Sequence, residues 1–310
     1  MIPLLRSPFG YNPPTGDRGD ERAFSKKRFG LDLMGVLDFV TRHFGSIWVA
    51  DHHMDGDRFR LEGWTQLTWM AARYPGVILG TEVLAHSYRH PPHVAKMAAT
   101  LQYLSGGRLI LGYGAGWSRE EYDAYGYDFP PAPVRIAQME EAVVLTRALW
   151  REWPANFDGR FYRVTDAYCE PRPSPEPPIM IGGEGERYLL PVVARHADWW
   201  LSYGHSTDLL RHKMRVLGQH CAAIGRDPAQ IRKATPLVVY LAKDRRKAKR
   251  WAGDAVNRPQ PAFAGDPTEL RDRLTELREV GFQLFLLAFA GFPDTDDIEL
   301  FVDEVMGHFV

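Results

Sequence analysis

The sequence predicts an α/β protein built as a closed (β/α)8 barrel, with an insertion between strands four and five. Three observations carry that reading. Short apolar runs alternate with helical patterns through eight units. The runs are continuously apolar, as strands of a parallel sheet covered on both faces must be. Residues able to do chemistry recur just after the runs, where the strand ends of a barrel converge on one face. An open doubly wound sheet is the second architecture that the alternation allows. The chain has 310 residues, a length that α/β barrels routinely use as one domain, and no repeat or boundary divides residues 1–310.

The elements follow in order. Ile2–Leu5 reads as the first strand, and the Gly- and Pro-rich stretch from Gly10 to Lys27 as a loop, either lying over a site or making a plain solvated connection. Leu33, Leu37 and Val40 have helical spacing up to Phe44, and Gly45 stops the helix. Ile47–Ala50 is the second strand and runs into Asp51-His52-His53. Pro75-Gly76 breaks the chain before the third strand, Val77–Val83. Pro92 sits in a first helical turn, where its missing N–H costs nothing, and Val94, Ala98, Leu101 and Leu104 form that helix's inner face. Gly106 fits a left-handed helix stop, and Leu109–Gly112 is the fourth strand.

The insertion comes next. It holds a helix from Arg135 to Trp150, a hairpin around Phe157–Tyr162 and a proline-rich approach from Pro171 to Pro178. Ile179–Ile181 is the fifth strand, followed by Gly182-Gly183-Glu184-Gly185 and a helix from Tyr188 to His196. Asp198–Leu201 is strand six, Leu209–Ile224 a helix and Leu237–Leu241 strand seven. Asp266-Pro267-Thr268-Glu269 has the form of a capping box; Leu270, Leu274 and Leu277 are the buried stripe of the helix it starts. Gly281 ends that helix, Phe282–Ala288 is strand eight, and a helix from Asp296 to Phe309 closes the chain.

Composition narrows the function classes. A net charge of −1 points to neither a nucleic-acid nor a membrane partner. The apolar runs are too short to span a bilayer, and the first ten residues lack a signal-peptide pattern. Two cysteines, Cys169 and Cys221, make no disulfide framework, so a cytoplasmic setting is expected.

Four stretches fall at predicted strand ends: Asp51-His52, Glu82-Val83, Gly112 to Trp117 and Gly182 to Gly185. His52 can act as acid, base or hydrogen-bond donor near neutral pH, and Asp51 can orient it. A pair that merely holds a loop is the plainer alternative. A metal site of Asp51, His52 and His53 is disfavoured because neighbours on a strand point to opposite sides. No metal is expected at His86, His90 and His93 either, because Pro91-Pro92 breaks the helix such a site would need. The alternate glycines Gly112, Gly114 and Gly116 leave room for a flat group to approach the backbone. Gly182 and Gly183, before a helix start, suit an anion such as a cofactor phosphate, provided that Glu184 and Glu186 point away.

Thr100, Leu101, Leu104 to Leu109, Leu111, Gly112, Gly114, Gly116 and Trp117 together resemble the fourth-strand signature of the luciferase-like family of flavin- and deazaflavin-dependent oxidoreductases, whose fold is a TIM barrel. The resemblance extends from about Ile47 to the C-terminus. It implies a non-proline cis peptide at Glu82–Val83 supporting the cofactor ring. It implies further cofactor contacts from Gly114, Ala115, Gly116 and Trp117, and from Ile181, Gly182, Gly183 and Glu184. Ile47 to His52, Gly114 to Trp117, Ile181 to Arg187 and Gly225 to Ile231 are similar to the branch using the deazaflavin F420. The implied activity is hydride transfer between F420 and a small organic substrate, with His52 beside the reactive carbon. The alternative is an FMN-dependent monooxygenase that takes reduced flavin and O2. A cofactor-binding protein without turnover is a third possibility. Trp117 replaces a carboxylate, and Gly56 a tryptophan, of the members that oxidise sugar phosphates, which argues against such a substrate. A homodimer and a separate flavin or F420 reductase are the partners that the resemblance implies.

Overall fold

The computed structural model describes residues 9–11, 29–56, 59–204, 206–257, 261–292 and 294–310. Eight parallel strands close into a ring: β1 Phe9–Tyr11, β2 Ser46–Val49, β3 Ile78–Thr81, β4 Leu109–Gly114, β5 Ile179–Gly182, β6 Trp199–Leu201, β7 Arg232–Leu241 and β8 Leu284–Phe289. Each pairs with its neighbours in chain order. Gly10 of β1 lies opposite both Ser46 of β2 and Leu286 of β8, and β7 joins β6 through Arg232 and Trp199. Ile2–Leu5 lies outside the described residues. The described first strand starts at Phe9 and takes in Gly10 and Tyr11, the start of the expected loop.

The barrel interior is filled rather than hollow. Trp48, Ile78, Ile110, Met180, Trp199, Leu201, Leu284 and Leu286 pack there. Trp48 spans the ring: a Cβ on Gly10 would lie 2.5 Å from its Nε1, and one on Gly80 2.1 Å from its Cε3. A second, larger apolar layer joins the outward strand faces to the surrounding helices.

Those helices are α1 Phe29–His43, α2 Gly63–Arg73, α3 Pro91–Ser105, α4 Arg119–Tyr125, α5 Ala132–Arg151, α6 Leu189–His196, α7 Thr207–Ala223, α8 Arg245–Ala252, α9 Pro267–Val280 and α10 Asp296–Glu304. The capping box at Asp266 and Glu269 forms, and Gly106 and Gly281 adopt the left-handed C-cap. Between β4 and β5 lie α4, α5 and an antiparallel hairpin, Ala155–Asp158 with Arg163–Ala167. Within the proline run Glu170–Pro171 and Ser174–Pro175 are cis.

Several local features differ from the sequence reading. Leu104 is 73% exposed; the inward place at the end of α3 belongs to Gln102, whose side chain bonds the Leu109 N–H and the Pro175 carbonyl. β7 begins at Arg232, well before Leu237, because Pro236 disguises a central strand. Helices α2, α4 and α8, and a strand at Ala262–Gly265 pairing with β7, are additional.

Candidate active site

The bond between Glu82 and Val83 is cis. It ends β3, and the chain re-pairs with the far end of β4 through Leu84 and Tyr113. Val83 fills the space beside the glycines. A Cβ on Gly112 would meet the Thr81 carbonyl oxygen at 2.1 Å and Val83 Cγ1 at 2.9 Å. On Gly114 it would meet Val83 Cγ2 at 2.6 Å, and on Gly182 both Val83 methyls at 3.1 Å. The alternate glycines therefore seat a bulge of this same chain, which corrects the reading that gave their space to a ligand. Gly116, at φ +75°, seats Tyr122 in the same way, and Tyr122 hydrogen-bonds Ser87.

His52 follows β2. Its Nδ1 lies 2.6 Å from Oε2 of Glu121, which is 2% exposed on α4. The other Glu121 oxygen accepts the His53 N–H at 2.7 Å and the Met54 N–H at 3.2 Å. Burial alone would raise the Glu121 carboxyl, but the His52 hydrogen bond and the two backbone N–H groups lower it to about 2. The His52 ring meets Trp117 edge-on at 5.5 Å, and Trp117 is 75% exposed at the mouth.

Asp51 faces elsewhere, against the expectation that it orients His52. Its buried carboxylate takes both Nη atoms of Arg89 at 2.9 Å and the Ala85 N–H at 2.9 Å. Arg89 also pairs with Glu62, which caps α2 through the Trp64 and Thr65 N–H groups. His53 stacks on Tyr88 at 4.3 Å. Asp51, His52 and His53 thus diverge toward three different partners. His86 is buried, and burial lowers it to about 4; His90 stands at the start of α3 and packs on Tyr162.

At the end of β5, Gly183 does not offer its N–H to an anion: it donates to the Leu201 carbonyl at 3.0 Å, and the Gly183 carbonyl accepts from Trp200 Nε1. The donors that face the turn are one step on. The chain makes its first helical bond from Leu189 to Gly185, and the N–H groups of Glu186, Arg187 and Tyr188 find no backbone acceptor among the described residues. Glu184 accepts from Ser202 Oγ at 2.5 Å. Glu186 turns away to His212 and Lys213. Ile181 is buried in the layer between barrel and helices, and the Ala115 carbonyl accepts from Arg135.

Glu121, Arg89 and Glu62 were absent from the sequence reading. Ser118-x-x-Glu121 has the form of a capping box, yet Ser118 makes no side-chain cap bond and Glu121 reaches across to the loop after β2 instead. Only the closed barrel brings residues 52 and 121 together.

A bulge after β3 seated on glycines of β4 and β5, and a carboxylate-held histidine after β2, thus share the face of the barrel where the strands end. The chain belongs to the luciferase-like monooxygenase family, whose model matches residues 43–283. An F420-dependent glucose-6-phosphate dehydrogenase of Kineococcus radiotolerans is 32% identical over 246 residues, which cover 75% of this chain and 71% of that one. An F420-dependent secondary alcohol dehydrogenase, solved with an F420-acetone adduct, superposes with a TM-score of 0.78 at 21% identity, over 96% of this chain and 97% of its own. A monooxygenase from Streptomyces bottropensis superposes with a TM-score of 0.81 at 20% identity, over 97% of this chain and 99% of its own. These two structures share the fold; their chemistries differ.

Proposed function

We propose that this protein is an F420-dependent oxidoreductase that interconverts a hydroxyl and a carbonyl group on a small organic substrate. The observation that carries this reading is His52, held at the barrel mouth by a buried carboxylate, at the same end of neighbouring parallel strands as the bulge that Val83 makes on its glycine bed. Hydroxyl oxidation needs a group that takes the hydroxyl proton, and a histidine with one nitrogen tied and one available can do so. The relatives named as F420-dependent dehydrogenases support the cofactor.

The deazaflavin, when bound, accepts or gives the hydride. The residues of the chain supply position and proton handling. The Glu82–Val83 bulge supports the ring. The N–H groups of Glu186 to Tyr188 and the start of α6 hold the phosphate. His52 Nε2 removes the hydroxyl proton in oxidation and returns it in reduction. Trp117 walls one side of the substrate with an aromatic edge and supplies no charge, which favours an uncharged or apolar substrate over a sugar phosphate. The family resemblance adds a homodimer and a separate enzyme that renews the cofactor, and the two cysteines without a disulfide framework add a cytoplasmic setting.

The test mixes purified protein with oxidised F420 and a panel of primary and secondary alcohols, and follows loss of the deazaflavin's visible absorbance. Substrate-dependent bleaching without O2 uptake is the expected result. O2 uptake with reduced FMN, and no bleaching of F420 with any alcohol or of its reduced form with any carbonyl, would replace this reading with the monooxygenase.

A further inference from the structure

We propose that Glu121 is the positioning residue of the site: it fixes the tautomer of His52 and so reserves Nε2 for the substrate. The inference rests on the acid/base role given to His52 above.

The geometry has three parts. First, Glu121 Oε2 lies 2.6 Å from His52 Nδ1, and a carboxylate accepts but does not donate. The hydrogen between them therefore belongs to Nδ1, and neutral His52 carries its lone pair on Nε2. Second, Glu121 is not free to turn. Its other oxygen is claimed by the His53 and Met54 N–H groups, and the residue is 2% exposed. Third, the neighbouring acid is occupied. Asp51 is committed to Arg89 and the Ala85 N–H, so Glu121 is the carboxylate that meets the ring.

This arrangement makes the substitution Glu121→Gln unusually informative. The amide that replaces the carboxylate has one oxygen, and two backbone N–H groups compete for it. With the oxygen kept there, the amide NH2 takes the place of Oε2 and donates to Nδ1. His52 then carries its hydrogen on Nε2 and has no lone pair for a hydroxyl proton. Glu121→Gln thus reverses the tautomer while preserving shape and the two backbone bonds. In oxidation the substrate proton moves from oxygen to Nε2 as the hydride leaves carbon for the deazaflavin; the reversed tautomer blocks the proton and leaves the binding contacts in place.

The experiment has a readout independent of turnover. Ring nitrogens of uniformly 15N-labelled protein are correlated with their carbon-bound protons above the histidine titration range, and the His52 signals are identified by their loss in His52→Ala. Wild type is expected to show the Nδ1–H form and Glu121→Gln the Nε2–H form. The same substitution is expected to lower kcat by about 10²–10⁴, with KM and F420 affinity within a few-fold. An Nε2–H tautomer in the wild type overturns the proposal, whether or not the variant folds. So does a Glu121→Gln kcat within threefold of wild type. If His52→Ala loses turnover while Glu121→Gln does not, the positioning role alone fails; if His52→Ala keeps turnover, the acid/base reading fails with it.

Discussion

The two ends of the barrel solve the same electrostatic problem with opposite charges. At the bottom, helices end and carbonyls are left over. Arg108 donates to the carbonyls of Ala71, Tyr74, Val77 and Ser105, joining the ends of α2 and α3 to the approach to β3. Arg226 caps α6 through Ala194 and Ala197, and Arg147 adds His196 and Asp198. At the mouth, helices start and N–H groups are left over, and carboxylates meet them: Glu62 at α2, Glu121 at the loop after β2, Asp51 at Ala85. Cations suit helix C-termini and anions N-termini. The difference lies in what remains unbalanced. The guanidinium groups at the bottom spend nearly all their N–H groups on carbonyls and carboxylates, Arg147 Nε excepted. The mouth keeps buried acids raised by burial, Glu82 to about 8 and Asp297 to about 7, and a buried neutral His86. The bottom is built for stability, and the mouth retains groups whose charge costs free energy.

The largest expected effect comes from crossing the two ends. His52→Ala should lower kcat/KM by about 10²–10⁴, with a smaller loss of Tm from the buried Glu121 oxygen that it leaves unpaired. Arg108→Ala should do the reverse. Leaving several buried carbonyls without a donor costs about 3 kcal/mol, a Tm loss on the order of 5–10 °C, while the folded fraction keeps its kcat. Thermal melts beside initial rates measure both, and an Arg108→Ala protein that is fully stable but inactive would erase the division.

An intermediate effect tests the charge that the mouth tolerates. Asp297, at the start of α10, has one oxygen on the Gly291 N–H and is pushed up from 3.8 to about 7. Its folded-state value lies above the unfolded one, so it costs nothing below about 4 and progressively more up to pH 7, at most about 4 kcal/mol. Asp297→Asn should therefore gain Tm over wild type as pH rises from 4 to 8, with the two melts converging near pH 4. Glu121 runs the other way. Its value is depressed to about 2, so its contribution is complete above about 4.5 and is lost as pH falls toward 2.

The smallest effect belongs to the exposed rim. Lys213→Ala removes the ion pair that turns Glu186 away from α6. Surface pairs of this kind contribute little, so Tm should not move. F420 affinity should fall only slightly, because the Glu186 carboxylate loses its Lys213 charge partner while His212 Nε2 still holds it; a titration of wild type and variant reads the change.

Much of the bottom was legible in the sequence, because its devices are local. Gly106 and Gly281 stop helices within four residues of chain, and one device of the mouth, the Asp266–Glu269 box that starts α9, is equally local. Seven of the eight apolar runs fall on strands β2 to β8 for a similar reason, since nearly every residue of those strands is buried. The mouth was legible only where a family signature covered it, as at the Glu82–Val83 cis bond. Its working contacts are long-range: residue 52 with 121, 51 with 89, and Val83 with glycines on two other strands. Spacing placed His52 beside Asp51, and the natural inference paired them. A strand end splays adjacent side chains apart, and each found a partner from another element.

The measurement that bears most directly on the whole account is a side-by-side titration of the purified protein with F420 and FMN, followed by tryptophan fluorescence. The F420-dependent relatives lead to the expectation of saturable, tight quenching by F420 and clearly weaker binding of FMN. FMN bound as tightly as F420, or F420 not bound, would contradict it.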